Sequence, residues 1–385
     1  MSLPRAAFDV IVVGAGPSGS TVAMDLVQKG HKVLLVDKDT HPGEKNVCGG
    51  LMPENYASGL SIPSWAIERR LEAFRYHIDN KTYSMTLPAI SFHRRVFDRY
   101  LAETAARLGA QLATDTFARG VTIGNEVVAS LVDKQGRLDT AESKLIVFAD
   151  GPHTLANRTM GIGFDRHPTN TAIAAIYEVD SGNFSLEAFE HFVNSEVSPC
   201  GYGWIFPKRS VLNVGIYCLM SKIGNRNIHC MLDWFIEEFK PVARYLADRP
   251  RARFATALIP LTPAIKLFAH RTLVVGDAAG MVEPVWGDGI GFGIMGGHLA
   301  AEVAHKSLEF GRYDEAFLSE YQKQWEKSVE YRTIKRYSRL LRLMLTVIPE
   351  RNNPFEWTTR VALRSYALYG LKVRRGPDAD LCLQS

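Results

Sequence analysis

A glycine-rich turn between a buried strand and a helix restricts the fold more than any other feature of this sequence. Residues 8–13 are apolar except for Asp9, as expected of a parallel strand that is buried on both faces. The turn that follows has G-x-G-x-x-G spacing and consists of Gly14, Ala15, Gly16, Pro17, Ser18 and Gly19. A helix pattern over 17–29 and a second apolar run over 33–36, which ends at Asp37, complete a βαβ unit. In this context the turn predicts a dinucleotide site, with the pyrophosphate at the helix N-terminus and Asp37 on the ribose hydroxyl groups.

Further strand patterns extend this sheet and indicate a second, inserted domain. Residues 145–149 and 271–275 are buried-strand runs, whereas 170–260 mixes strand-like runs with one helical stretch. A second G-x-G-x-x-G match at 291–296 lacks a preceding strand and a downstream acid, so it predicts a helix and not a second site. We therefore expect an α/β chain with a discontinuous nucleotide-binding domain, a sheet-based substrate domain and a basic helical C-terminal segment. The nucleotide-binding domain is predicted to comprise residues 1–75, 91–165 and 265–325. The substrate domain comprises 76–90 and 166–264, and the C-terminal segment comprises 326–385.

The composition is that of an ordinary globular protein and excludes several classes of function. Of the 385 residues, 46% are hydrophobic and 22% are charged, which excludes wholesale disorder. No run approaches the ~18 apolar residues of a membrane-spanning helix. Residues 1–7 lack the apolar core of a secretory signal, so we expect a cytoplasmic protein. No two of the five cysteines have C-x-x-C spacing, and His77, His93 and His298 lack metal-ligand spacing, so no metal site is predicted.

Positive charge is concentrated near the C-terminus. Residues 327–375 contain twelve Lys or Arg and three Glu, or 12 − 3 = +9, which leaves 4 − 9 = −5 for the rest of the chain. On a helix over 331–348, apolar residues fall on one side, and the other side carries Arg332, Lys335, Arg336, Arg339 and Arg342. Such a helix is typical of peripheral contact with an anionic membrane, and equally of a helix that packs its apolar face on the protein body. No recognition motif favours nucleic acid.

Together with the first glycine turn, three later segments resemble the flavoprotein hydroxylase superfamily, of the p-hydroxybenzoate hydroxylase type. They are Ala149-Asp150-Gly151, the run from Gly276 to Gly280, and Pro284 with Gly287-Asp288-Gly289-Ile290-Gly291. The resemblance implies a Rossmann-like FAD-binding domain of the GR2 type, with FAD in an extended form. It places Asp277 at the ribityl or pyrophosphate part and the start of a helix at the flavin pyrimidine edge, where N–H groups favour negative charge. Besides the glycine turn and Asp37, the implied cofactor residues are Lys38, Cys48, Gly49, Arg94, Ala118, Asp150, Gly276, Asp277, Gly287, Gly289 and Ile290.

Two more segments resemble the geranylgeranyl reductase family within that superfamily. One is Lys45-Asn46-Val47-Cys48-Gly49-Gly50-Leu51, which matches a K-x-x-C-G-G type loop. The other is Gly201-Tyr202-Gly203-Trp204-Ile205-Phe206-Pro207-Lys208, followed by Asn213-Val214-Gly215, which matches the family's Y-x-W-x-F-P substrate motif and the glycine downstream. The second glycine of the family's G-x-G is replaced by Tyr217, which would narrow the cavity. The resemblance implies reduction of isolated C=C bonds in polyprenyl chains, in a pocket formed by Tyr202, Trp204, Phe206 and Tyr217.

Several alternatives stay open on the sequence. Cys48 is either a proton donor or modulator beside the flavin, or a small residue that fills its loop. No second nucleotide-binding domain is visible, so the electron donor is external: NADPH, ferredoxin or an electron-transfer flavoprotein. The closest alternative function is a flavin-dependent monooxygenase or halogenase of the same superfamily, which would use O2 on an aromatic substrate. An electron relay to a membrane quinone and a lipid-binding module with a structural dinucleotide are the other two.

Overall fold

Two β-sheets and the helices that cover them form the structure, a computed structural model that describes residues 8–44, 47–78, 81–182, 185–348, 354–368 and 373–375. The strands are β1 (Phe8–Val13), β2 (Val33–Val36), β3 (Leu51–Pro53), β4 (Arg69–Ile78), β5 (Lys81–Ser91), β6 (Gln111–Ala113), β7 (Thr116–Ile123), β8 (Val127–Asp133), β9 (Leu138–Phe148), β10 (Thr171–Asp180), β11 (Phe189–Val193), β12 (Gly201–Pro207), β13 (Val211–Leu219), β14 (Arg251–Pro260), β15 (Phe268–Ala269), β16 (Thr272–Val274) and β17 (Val373–Arg375). The helices are α1 (Pro17–Gln28), α2 (Arg94–Arg107), α3 (Leu155–Met160), α4 (Met220–Ile223), α5 (Ile228–Glu237), α6 (Lys240–Leu246), α7 (Ile290–Phe310), α8 (Glu315–Lys327), α9 (Val329–Val347) and α10 (Pro354–Leu368).

The first sheet gathers the predicted nucleotide-binding segments at one edge. Its strand order is β15-β16-β9-β1-β2-β6, with β1 parallel to both β2 and β9. Val13 lies in register with Val36 on one side and with Phe148 on the other. Because these strands are parallel, their carboxyl ends meet, and the glycine turn, Asp37 and Asp150 emerge together.

Helix α7 packs closely on α1, and its glycines explain the second G-x-G-x-x-G match. A Cβ on Gly293 would lie 2.3 Å from the Ser18 hydroxyl oxygen, and one on Gly297 would lie 2.9 Å from the Ser18 carbonyl oxygen. Only residues without a side chain allow the two helices to approach this closely. The match at 291–296 is therefore helical, as predicted, and serves helix packing.

The second sheet is larger than the sequence indicated. Its order is β14-β10-β13-β12-β11-β4-β5-β17, with β3 paired to β5. Residues 69–75 and 51–53, which the sequence prediction assigned to the nucleotide-binding domain, are therefore corrected to the second sheet. The reason is that both segments pair antiparallel with β5. The predicted helix at 228–247 is divided into α5 and α6, with Pro241 in the first turn of α6.

The C-terminal helices complete the core of the second sheet. On α9, Ile334, Tyr337 and Leu341 are buried against the body of the protein, whereas the five basic residues of the opposite side are exposed. Phe355 and Leu363 of α10 belong to the same apolar core, and β17 pairs with β5. The described parts of this segment thus contribute Tyr337, Leu341, Phe355 and Leu363 to the core of the second sheet, and Ile334 to that of the first. No described helix is both long and apolar enough to span a bilayer. The predicted features at Lys45, Asn46 and Cys382 lie outside the described residues.

Candidate active site

A large cavity of about 1190 Å³ lies between the two sheets. Its first end is lined by the carboxyl edge of the parallel sheet and its second end by aromatic side chains of the antiparallel sheet. Typical small-molecule pockets measure ~300–1,000 Å³, so this space is large enough for a cofactor together with a substrate. The geometry of each end indicates whether that end suits the cofactor or the substrate.

The glycine turn forms a backbone cradle at the first end. Gly14 has φ +101°, and a Cβ there would lie 2.3 Å from the Ala149 carbonyl oxygen. A Cβ on Gly19 would lie 1.9 Å from the Gly14 carbonyl oxygen, so α1 can begin close to β1 only without side chains at these positions. The Asp37 carboxylate accepts hydrogen bonds from the N–H of Ala15 at 2.7 Å and of Asp39 at 2.9 Å. These contacts fix the acid at the end of β2.

Two more carboxylates line the first end of the cavity. One Asp150 oxygen accepts the Leu155 N–H at 2.7 Å, whereas the other oxygen is buried and has no partner among the described residues. Burial raises the pKa of Asp150 and of Asp277, and for Asp277 the charge of Arg94 partly opposes the rise. A buried acceptor without a donor favours a ligand rich in hydroxyl groups. The cradle and these carboxylates fit the ribose and ribityl parts of FAD.

Arg94 connects the cofactor end to Cys48. Its guanidinium group forms a bidentate ion pair with Asp98, with both N–O distances at 2.7 Å. Burial by itself would lower the pKa of Arg94, but Asp98 and the hydrogen-bonded thiol of Cys48 hold this pKa above its ordinary value. The cation is therefore rigid, and it lies beside the thiol that the sequence singled out.

The predicted substrate residues form one aromatic wall at the second end. Tyr202, Trp204 and Phe206 share a face of β12, with neighbouring ring centroids 5.8 and 5.9 Å apart, and Tyr217 of β13 stacks on Tyr202 at 5.2 Å. Their polar atoms are all paired with protein groups: Trp204 Nε1 donates to Asn213 Oδ1, and the Tyr217 hydroxyl donates to a main-chain carbonyl oxygen. The Tyr202 hydroxyl likewise donates to the Trp286 carbonyl oxygen. The wall thus presents apolar ring surfaces to the cavity.

The second end of the cavity, which we call the aromatic chamber, is completed by aromatic residues that the sequence analysis missed. Tyr76 of β4 and His191 of β11 are adjacent in register and stack at 4.8 Å, and Trp286 lies 4.6 Å from Tyr76. Phe355 of α10 packs on Tyr202 at 6.1 Å. Burial lowers the pKa of His191 to about 3, so the ring is neutral and acts as an aromatic wall. No motif marks these residues, because they come together from four separate elements.

Two acidic side chains, Glu283 and Asp288, lie where the two ends of the cavity meet, and the sequence analysis did not identify either as a candidate functional acid. The Glu283 carboxylate accepts the N–H of Val285 at 3.1 Å and the N–H of Trp286 at 2.7 Å, and it is 2% exposed. Burial raises the pKa of Glu283 to about 8 and that of Asp288 to about 7. Both acids line the cavity. Their positions before α7 were visible in the sequence only as part of a glycine-rich segment.

Most of the predicted site residues come together around this cavity. Those that line it are Gly14, Gly16, Pro17, Ser18, Asp37, Lys38, Cys48, Gly49, Arg94, Ala118, Asp150, Tyr202, Trp204, Phe206, Tyr217, Asp277, Gly287, Gly289 and Ile290. Ala15, Gly19 and Gly276 lie behind the lining. Gly276, at φ +65°, lies against the Ser18 side chain and so shapes the turn from the second layer. The described residues contain no cluster with the make-up of a metal site.

Comparison with known families agrees with this division into two ends. Residues 9–152 match the family model of FAD dependent oxidoreductases, and residues 170–247 match that of the geranylgeranyl reductase catalytic domain. The first match contains the glycine cradle and the second contains the aromatic wall.

Individual relatives extend the similarity over most of the chain. A digeranylgeranylglycerophospholipid reductase of Methanocaldococcus jannaschii is 30% identical over 84% of each chain, and one of Methanosarcina acetivorans is 29% identical over 83% of this chain and 81% of the relative. A geranylgeranyl bacteriochlorophyll reductase-like structure from Thermoplasma acidophilum has a TM-score of 0.82 at 24% identity, covering 90% of this chain and 89% of that one. The flavin-dependent halogenase CmlS shares the fold at TM-score 0.71 and 16% identity, over 94% of this chain and 70% of that one. The chain therefore belongs to the geranylgeranyl reductase family of FAD-dependent oxidoreductases.

Proposed function

We propose that this enzyme saturates isolated C=C bonds of an isoprenoid chain, held in the aromatic chamber against the isoalloxazine end of FAD. The observation that carries the proposal is the continuity of the cavity from the glycine cradle to a wall whose polar atoms are already paired. An isoprenoid segment offers no hydrogen bonds, so the four rings of this wall, whose polar atoms are paired, suit it. Elsewhere in the chamber, Trp286 Nε1 and His191 Nδ1 are buried without a partner among the described residues. The names of the curated relatives, which are isoprenoid lipid reductases, support the same substrate class.

Reduction of an isolated alkene requires a hydride at one carbon and a proton at the other. FAD, when bound and reduced, supplies the hydride. The chamber then has to hold the alkene in place and exclude water, which Tyr202, Trp204, Phe206 and Tyr217 do by enclosing it in ring surface. Cys48 beside Arg94 is the proposed site of proton delivery or modulation. Its position on the loop that joins the two ends of the cavity supports that role.

The electron donor and the membrane contact belong to the same proposal. An external donor, which is NADPH, a ferredoxin or an electron-transfer flavoprotein, re-reduces the flavin. The exposed basic side of α9, together with the exposed apolar Leu343 and Val347 near its end, rests on an anionic membrane from which the substrate is taken. An isoprenoid lipid is insoluble in water, so contact with the membrane shortens its transfer into the chamber.

The decisive experiment is an anaerobic turnover. Protein saturated with FAD is reduced with dithionite and incubated with geranylgeraniol, and products are analysed by mass spectrometry. We expect products heavier by two hydrogen atoms for each bond reduced. If alkene substrates stay unchanged, and an aromatic substrate drives O2 consumption in a parallel aerobic incubation, the enzyme is a monooxygenase and the proposal is wrong.

A further inference from the structure

Three consecutive carbonyl groups of the Cys48 loop are held by side chains of the second sheet. The Asn213 side-chain amide donates to the Cys48 carbonyl oxygen at 3.2 Å. The Lys208 ammonium group donates to the carbonyl oxygens of Gly49 at 2.8 Å and Gly50 at 2.7 Å, and to that of Phe92 at 3.0 Å. Lys208 is 2% exposed, so all three of its N–H groups are used on main-chain oxygens.

The same two side chains connect the loop to the aromatic chamber. Lys208 directly follows the end of β12, the strand that carries Trp204 and Phe206. Asn213 accepts the Trp204 Nε1–H at 2.8 Å while it donates to the loop. A Cβ on Gly49 would lie 2.7 Å from two ring carbons of Phe206, so the loop lies directly on the chamber wall. Any shift of the loop therefore moves the thiol relative to the substrate wall.

We propose that Lys208 is a positioning residue for the reaction, whose ammonium group clamps the Gly49–Gly50 turn and so fixes the Cys48 thiol between the chamber and the flavin site. The inference deepens the proposed function, since it relies on Cys48 lying at the reacting centre. In a trans peptide the N–H points away from the preceding carbonyl, so carbonyls held by the second sheet direct the N–H groups of Gly49 and Gly50 the other way. Both glycines line the cavity, and among the described residues neither N–H donates to a protein acceptor. The clamp thus also presents two main-chain donors to the cavity.

The clamp is complete only when Lys208 is charged, because three acceptors require three N–H groups and a neutral amine has two. Burial lowers the pKa of Lys208 to about 7, against the attraction of Cys48, Glu68 and Glu178, and Arg95 lowers it further. As the pH rises through about 7, one of the three hydrogen bonds is lost. The Cys48 loop then gains freedom near neutral pH.

The test compares two neighbouring cations on one turn in the FAD-bound, full-length enzyme. Lys208→Met removes the clamp, whereas Arg209→Met, the matched control, removes two hydrogen bonds to the carbonyl oxygens of Ser64 and Ile67 in a different loop. Alkylation of Cys48 by iodoacetamide is followed by peptide mass spectrometry between pH 6 and 8.5, with the exposed Cys230 as internal reference. The kcat and KM for alkene reduction are measured alongside.

We expect Lys208→Met to raise the Cys48 to Cys230 alkylation ratio by about tenfold or more and to remove the step near pH 7 that the titration of Lys208 adds to its pH dependence. The kcat should fall about 10- to 100-fold with KM changed less than about threefold, as for a misplaced reacting group. Arg209→Met should match the wild type within about twofold. If Lys208→Met does not fold, Lys208→Gln is used, which lacks the charge but keeps two N–H donors. Equal alkylation ratios and kcat for the two positions would overturn the proposal. A changed alkylation ratio in an enzyme that reduces no alkene would support the clamp and refute the substrate assignment instead.

Discussion

The buried acid Glu283 makes a quantitative prediction about stability. Its carboxyl group accepts two main-chain N–H groups in the turn before α7 and is 2% exposed, and burial raises its pKa to about 8 from an ordinary 4.5. Between pH 4.5 and about 8, the native state therefore keeps a proton on Glu283 that the unfolded chain has already released. Stability must fall as pH rises through that window, and the dependence ends above about pH 8. At 1.36 kcal/mol per pKa unit, the total loss from this group is about 5 kcal/mol.

The substitution Glu283→Gln tests this value, because the amide has nearly the shape of the protonated acid and does not titrate. Urea unfolding of both proteins at pH 5, 7 and 9, each saturated with FAD, gives their difference in unfolding free energy. Titrating groups that do not interact with Glu283 cancel in that difference, whereas Asp288, whose charge raises the pKa of Glu283, contributes to it. We expect the variant to be close to the wild type at pH 5 and more stable by about 3–5 kcal/mol at pH 9. A difference that stays constant across the three pH values would show that Glu283 is ionised in the native state and would refute the reasoning.

Three further predictions concern the cradle, the chamber and α9. Gly14→Ala places a Cβ 2.3 Å from a main-chain oxygen at φ +101°, so FAD affinity should fall at least about tenfold and stability by more than about 2 kcal/mol, as measured by flavin titration and urea unfolding. Tyr217→Ala should lower the free energy of unfolding by about 3–5 kcal/mol. It should also raise kcat/KM for a two-chain lipid, relative to kcat/KM for geranylgeraniol, by about tenfold, and an unchanged ratio would show that Tyr217 does not narrow the cavity for the substrate. The double variant Lys335→Gln, Arg339→Gln should lower the affinity for phosphatidylglycerol vesicles, measured by sedimentation, by about 30-fold, since each basic residue contributes about 1 kcal/mol. The control Arg137→Gln, at an exposed position outside α9, should leave this affinity unchanged. Equal losses for the two proteins would argue against α9 as the membrane contact.

Local patterns predicted the nucleotide-binding half well because its elements are specified by residues close in sequence. The glycine turn, the acid that ends β2 and the buried parallel strands each have a signature within about 40 residues, and they lie at one sheet edge as expected. The alternation of side chains along β12 likewise predicted that Tyr202, Trp204 and Phe206 share a face. The boundary of the second sheet was misplaced because β3 and β4 carry no apolar run, and only their pairing with β5 reveals them.

By itself the sequence determined the fold class and the dinucleotide cradle, since both depend on short-range spacing and residue type, whereas the aromatic wall was predicted from the resemblance to a family motif. Only the tertiary structure decided that Phe355 packs on Tyr202 of the aromatic wall, that Lys208 reaches Gly49 and Gly50 about 160 positions away, and that Glu283 holds its proton. The physical reason is that burial and hydrogen-bond partners are properties of packing between distant segments. A lysine or a glutamate looks like a solvated surface residue in the sequence, and it acquires a special charge state or contact only when the folded chain removes water from it.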